Sequence, residues 1–105
     1  MIEGDTFQRF LLEELHIRGE WVRLSDSYQE ATKDLEYPDN LRSLLGQAAA
    51  ASVLLTGTLK FDGRLSIHAR GEGVVNLLMA EATNRRTYRG IVDWEGEVDP
   101  DASLV

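Results

Sequence analysis

No cysteine occurs in the 105 residues. That excludes a disulfide, a thiol nucleophile and a thiolate metal site within the chain, and it fits a cytoplasmic location. Long apolar runs are also missing. The longest, Ala48 to Leu55, is broken by Ser52 and falls far short of the roughly 20 residues that cross a bilayer. Met1 to Phe10 has no cationic leader followed by an apolar core, so no signal peptide is expected. Basic residues are few: eleven against eighteen acidic ones give a formal net charge of -7, which repels phosphate backbones and makes nucleic acid a poor partner. The small basic cluster of Arg85, Arg86 and Arg89 reads as a solvated turn and strand face.

Catalytic patterns are absent too. There is no Gly-x-Ser-x-Gly elbow and no Gly-x-x-x-x-Gly-Lys phosphate loop. Gly71-Glu72-Gly73 follows a strand pattern, but a dinucleotide site needs a third glycine and a helix after it. His16 and His68 have no second histidine or cysteine at ligand spacing. Asp93, Glu95, Glu97, Asp99 and Asp101 alternate like a calcium loop without its glycine or terminal glutamate, which leaves a solvated acidic tail. Glu13 and Glu14, as strand neighbours, point to opposite faces and cannot share a substrate. The expectation is a binding domain with no catalytic residue, metal or cofactor of its own.

What is present is an ordinary globular composition, 43% apolar and 28% charged, enough for one domain with a real core. From Asp5 to Leu15, Phe7, Phe10, Leu11 and Leu15 fall at helical spacing. With Ile17 and Trp21-Val22-Arg23-Leu24 added, the segment reads equally well as a long strand or a hairpin bent at Arg18-Gly19. Ser27 and Glu30 have capping-box spacing, Tyr28, Ala31 and Leu35 line one face, and Tyr37-Pro38 stops this short helix. After Pro38, with Asp39 or Asn40 available as a cap, Leu41, Leu44, Leu45, Ala48, Ser52, Leu55 and Leu59 recur at steps of three and four. This predicts a helix of about five turns running to Asp62-Gly63, where Gly63 can take a positive φ.

The long helix starts amphipathic, with Arg42, Ser43 and Gln47 pointing away, and ends apolar all round, which demands cover all round. It is placed at the centre, with Leu44, Leu45, Leu54 and Leu55 as its main stabilisers; a charge at Leu55 is expected to unfold the domain. Leu65, Ile67 and Ala69 then alternate as a half-buried strand, Gly71-Glu72-Gly73 turns, and Val74 to Ala80 reads as a strand covered on both faces. Tyr88, Gly90, Val92 and Trp94 mark a last strand. The fold class is α+β: sheet layers around a long central apolar helix, with one shorter helix before it.

The ordered set Ile17-Arg18-Gly19-Glu20, Tyr37-Pro38, Leu44-Leu45-Gly46, Leu54-Leu55-Thr56, Thr58 to Gly63 and Gly71-Glu72-Gly73 resembles the amino-terminal domain of the thirty-three-kilodalton heat-shock protein family, the redox-regulated holdase chaperones. The likeness covers about 90 residues. Val74 stands where that family commonly has proline, and Gly57 where it has alanine. The resemblance implies that Asp5 to Leu15 is strand. It also implies that residues 1–105 are a truncated part of the family's amino-terminal domain, and that the zinc centre of four cysteines lies in a carboxy-terminal domain outside this chain. Unfolded or partly folded proteins are the implied partners, bound through apolar surface without ATP; Leu77, Met79, Ile91 and Trp94 are the candidate client-binding residues. A truncated sandwich leaves an unpaired strand edge, so a homodimer or strand-exchanged oligomer is expected. The competing reading is a small ligand-binding or protein-interaction domain unrelated to chaperone activity.

Overall fold

Residues 5 to 24 are extended rather than helical. In the computed structural model, which describes residues 4–57, 59 and 62–98, β1 (Thr6–Leu12) pairs antiparallel with β2 (Ile17–Arg23). The bend is not at Arg18-Gly19. It is a 3-10 turn, Glu13–Leu15, closed by His16 in the left-handed region at φ 53, whose N–H donates to the Glu13 carbonyl at 3.2 Å. Glu13 and Glu14 therefore sit on one helical turn, not on opposite strand faces. Gly19 lies mid-strand opposite Phe10, and the Phe10 ring fills the space that a Cβ at Gly19 would take.

α1 (Asp26–Thr32) is capped from outside its own sequence. Ser27 lies inside the helix, and no side chain at Ser25 caps it. Instead Asp5 Oδ1 accepts the N–H groups of Ser25 at 2.9 Å and Ser27 at 3.3 Å, so a carboxylate twenty residues upstream satisfies the donors that a helix start leaves open. Ser27 is buried, with its Oγ 2.7 Å from the Tyr88 hydroxyl. The helix stops at Thr32, before Leu35. Ala31 is exposed, and Tyr28 packs on Gly46 of the next helix. Arg42, expected to point away, turns back and donates from Nη2 to the carbonyls of Thr32 at 2.5 Å and Leu35 at 3.4 Å. A cation thus sits at the negative end of α1.

α2 (Asp39–Thr56) begins directly after Pro38, with neither Asp39 nor Asn40 as its cap residue. It ends at Gly57, φ -61, well before Asp62-Gly63, so Leu59 is outside it. Gly63 is not among the positive-φ glycines. Thr58, Lys60 and Phe61 of the exit motif lie outside the described residues, as do Asp99 to Val105. β3 (Arg64–Arg70), β4 (Val75–Thr83) and β5 (Tyr88–Trp94) form an antiparallel sheet in that order, with an irregularity between Val75 and Leu77. α2 packs on all three of these strands and on β2, so sheet lies on more than one side of it.

The core follows from which side of α2 faces the three-stranded sheet. Leu41 and Leu45 meet Val92, with Leu35, Tyr37, Val75, Leu78, Trp94 and Val98 packed around them. Further along, Ala48, Ala49, Ser52 and Val53 are buried, as are Ala80 and Ala82 of β4. Small side chains on both elements let helix and sheet approach closely. Gly90 belongs to the same seam, since a Cβ there would lie 2.6 Å from Leu45 Cδ1 and 2.9 Å from the Met79 carbonyl oxygen. The buried hydroxyls of Ser52 and Thr56 donate to carbonyls one turn back, at 2.8 and 2.6 Å. Leu55 is 46% exposed, whereas Leu41 and Val53 are wholly buried. The expectation that a charge at Leu55 unfolds the domain therefore does not hold, and the principal stabilisers are Leu41, Leu45 and Val53.

Candidate functional site

Strand alternation sorts the predicted contact residues onto two faces. Ala80, Ala82 and Val92 face α2, so Leu77, Met79 and Ile91 project from the opposite face of the sheet. There Met79 stands between His68 of β3 and Ile91 of β5, and Leu77 between Arg70 and Asp93. Leu77 and Met79 are half-buried by their neighbours, and Ile91 is exposed. Trp94 is on the other face. Its ring meets Tyr37 edge-on at 5.0 Å and packs against the Leu41, Leu45 and Val92 cluster. The structure brings three of the four residues together and gives the fourth to the core.

The outward face has a charged rim. Glu81 Oε1 lies 3.3 Å from Arg64 and 3.4 Å from Arg89, and Glu81 Oε2 accepts from Ser66 Oγ at 3.0 Å. The Ser66 hydrogen bond, with lesser contributions from Arg89 and Arg64, outweighs desolvation and holds this carboxyl below its ordinary value. Glu81 therefore stays ionised and bars apolar contact at that end. Leu77, Met79 and Ile91 occupy the remainder.

A second apolar surface was not anticipated. Phe10, Leu11 and Leu12 are adjacent on β1 and so point alternately to opposite sides, yet they are 48%, 55% and 47% exposed. Both faces of the hairpin end are therefore open to solvent. Leu15, Ile17 and Trp21 are exposed beside them. Between this end and the finish of α2 runs an open groove floored by Leu54, Leu55 and Leu59 and edged by Arg9, Arg18 and Glu20. Arg9 ties the groove's base, donating to the Gly57 carbonyl at 3.2 Å and pairing with Glu20 at 3.2 Å. The sequence did carry a signal: three consecutive apolar residues in a hairpin cannot all be covered from one side, and a lone two-stranded ribbon has no second layer.

Nothing at either surface is arranged for bond chemistry. His16 closes the turn and His68 sits on an exposed strand position. Among the described residues no group of three or more His, Cys, Asp or Glu could hold a metal ion, and no helix is long and apolar enough to cross a membrane. The zinc that the family resemblance implies has no fit with these residues.

An α+β domain with open apolar surface on a hairpin and on the outer side of a sheet defines a protein that works by contact. Its family follows from comparison with known proteins. The family model described as "Hsp33 protein" matches residues 5–105, and the chain belongs to that family. It is similar to the "33 kDa chaperonin" of Hahella chejuensis, 50% identical over 98 residues, covering 93% of this chain and 34% of the relative. Proteins of the same name from Shewanella sp. strain ANA-3 and Aliivibrio salmonicida are 45% and 41% identical, covering 95% and 96% of this chain and 35% of each relative. The chain thus spans about a third of the length of the curated relatives it matches. Membership decides against an unrelated ligand-binding domain.

Proposed function

We propose that this chain forms part of the client-holding platform of a redox-regulated, ATP-independent holdase chaperone, gripping unfolding proteins through apolar contact and keeping them from aggregating. The observation that carries this reading is the hairpin end, where Phe10, Leu11, Leu12, Leu15, Ile17 and Trp21 are all exposed. A patch of roughly 500 Å² contributes about 12 kcal/mol gross at about 25 cal/mol per Å², largely offset by association and ordering costs, which suits weak promiscuous binding. Leu77, Met79 and Ile91 supply a second, smaller contact face, and Trp94 serves its stability from behind. The work is binding, not catalysis. The redox switch and its zinc belong to sequence outside these 105 residues, which act as one piece of a larger amino-terminal domain in the cytoplasm. Nucleic acid and membrane are not its partners.

The test is light scattering from a chemically denatured client diluted into buffer with and without the chain. Suppression of aggregation is expected, together with enhanced fluorescence of a hydrophobic dye. Neither effect at a several-fold molar excess of the chain would overturn the reading.

A further inference from the structure

Between Asp5, α1 and the β4–β5 turn lies an open cleft of about 360 Å³, within the size range of small-ligand sites. Two polar atoms lining it are buried without a hydrogen-bond partner, Asp5 Oδ2 and Arg86 Nη1. Native proteins seldom leave such atoms unpaired. Each is held in place by other contacts. Asp5 is fixed through its Oδ1 bonds to Ser25 and Ser27. Arg86 is fixed by its guanidinium lying 3.7 Å from the Phe7 ring centroid.

Arg86 also holds φ 64, a left-handed conformation that glycine adopts freely and arginine rarely. Strain of this kind gathers where a side chain has a task. The cleft's charges balance, with Asp5 and Glu30 against Arg85 and Arg86. An anion would meet the two carboxylates and a cation the two guanidinium groups, so the fitting ligand is neutral and dipolar. It must give a donor to Asp5 and an acceptor to Arg86. A peptide group does both.

We infer that this cleft binds the backbone of an extended polypeptide, with a peptide N–H donating to Asp5 Oδ2 and a peptide carbonyl accepting from Arg86 Nη1. Every residue of an unfolded chain carries that group, so the grip is indifferent to sequence and complements the apolar contacts. The inference rests on the chaperone reading and names one place where its clients are held.

Amide-detected NMR of the full chain, titrated with N-acetylalanine N-methylamide as a neutral two-amide probe, tests it. Saturable shifts are expected around Asp5, Ser25, Ser27, Arg86 and Tyr88. They should vanish in Arg86→Gly, which removes the guanidinium while relieving the backbone, and in Asp5→Asn, which keeps an acceptor for α1 but puts an amide donor at the Oδ2 position. Affinity for a reduced, alkylated, permanently unfolded protein should fall about tenfold in Arg86→Gly, the loss of one charge-assisted hydrogen bond. Absence of probe shifts in the parent chain overturns the inference, as does unchanged client affinity in Arg86→Gly. Probe shifts without any client binding leave the peptide-group site standing and sink the chaperone reading instead.

Discussion

At the scale of residues, Asp5 does more than its surroundings in sequence suggest. Burial pushes its carboxyl up, but the Ser27 side chain and the amides of Ser25 and Ser27 outweigh this and hold it below its ordinary 3.8. The unfolded chain therefore takes the proton more readily than the folded one. Stabilisation by Asp5 is whole above the unfolded value and is lost as the pH falls through the lower folded value. Asp5→Ala should cost about 1 kcal/mol at neutral pH, the usual loss of a helix cap. In urea titrations the gap to the parent chain should narrow progressively below pH 3.8. Leu41 and Leu55 make the opposite contrast, alike in type and spacing but wholly buried against 46% exposed. Leu41→Ala should cost about 2–5 kcal/mol. Leu55→Lys should change stability by under about 1 kcal/mol, as a surface substitution near a helix end; unfolding by Leu55→Lys would mean that the groove is closed in solution.

At the scale of elements, the hairpin is the loosest and the most telling part. One anchor holds its base to α2: Glu20 lies in the space that a Cβ on Gly57 would occupy, paired with Arg9, which also reaches the Gly57 carbonyl. Gly57→Ala gains about 0.5–1 kcal/mol of helix preference and displaces a flexible carboxylate from a pair of similar worth. Global stability should hardly move. Hydrogen exchange should show the change instead, with β1 and β2 amides exchanging faster while β4 amides stay protected. Equal acceleration in both sheets would show that the hairpin is not separately anchored. Strands β3 to β5 were legible from alternation because each has one covered face. The hairpin was not, because its apolar residues at 7, 10, 11 and 15 satisfy a helical period and a two-sided strand at once.

At the scale of the whole molecule, two opposing forces act over different ranges. The net charge of -7 keeps copies apart but is screened within a Debye length of about 10 Å at 0.1 M salt. The open hairpin and the outer edge of β3, unpaired among the described strands, attract at contact whatever the salt. We propose a homodimer or strand-exchanged pair whose population rises with ionic strength. Size-exclusion chromatography with light scattering should detect mass growing from monomer toward dimer between about 0.01 and 0.5 M salt. A monomer throughout, at high protein concentration, would remove the proposal.

By itself the sequence determined the class of fold, the order of its elements and the family, because periodicity and turn residues act over a few neighbours and survive without knowledge of the rest. It also determined what the chain cannot do, since thiol chemistry needs a thiol. Tertiary structure alone decided which side of α2 is buried, where the first ribbon bends and which apolar residues stay open. It also decided that α1 is capped by a residue twenty positions away and bonded to one sixty-one positions away. Those outcomes depend on what covers or pairs each group, and a covering partner is distant in sequence. No local spacing records it.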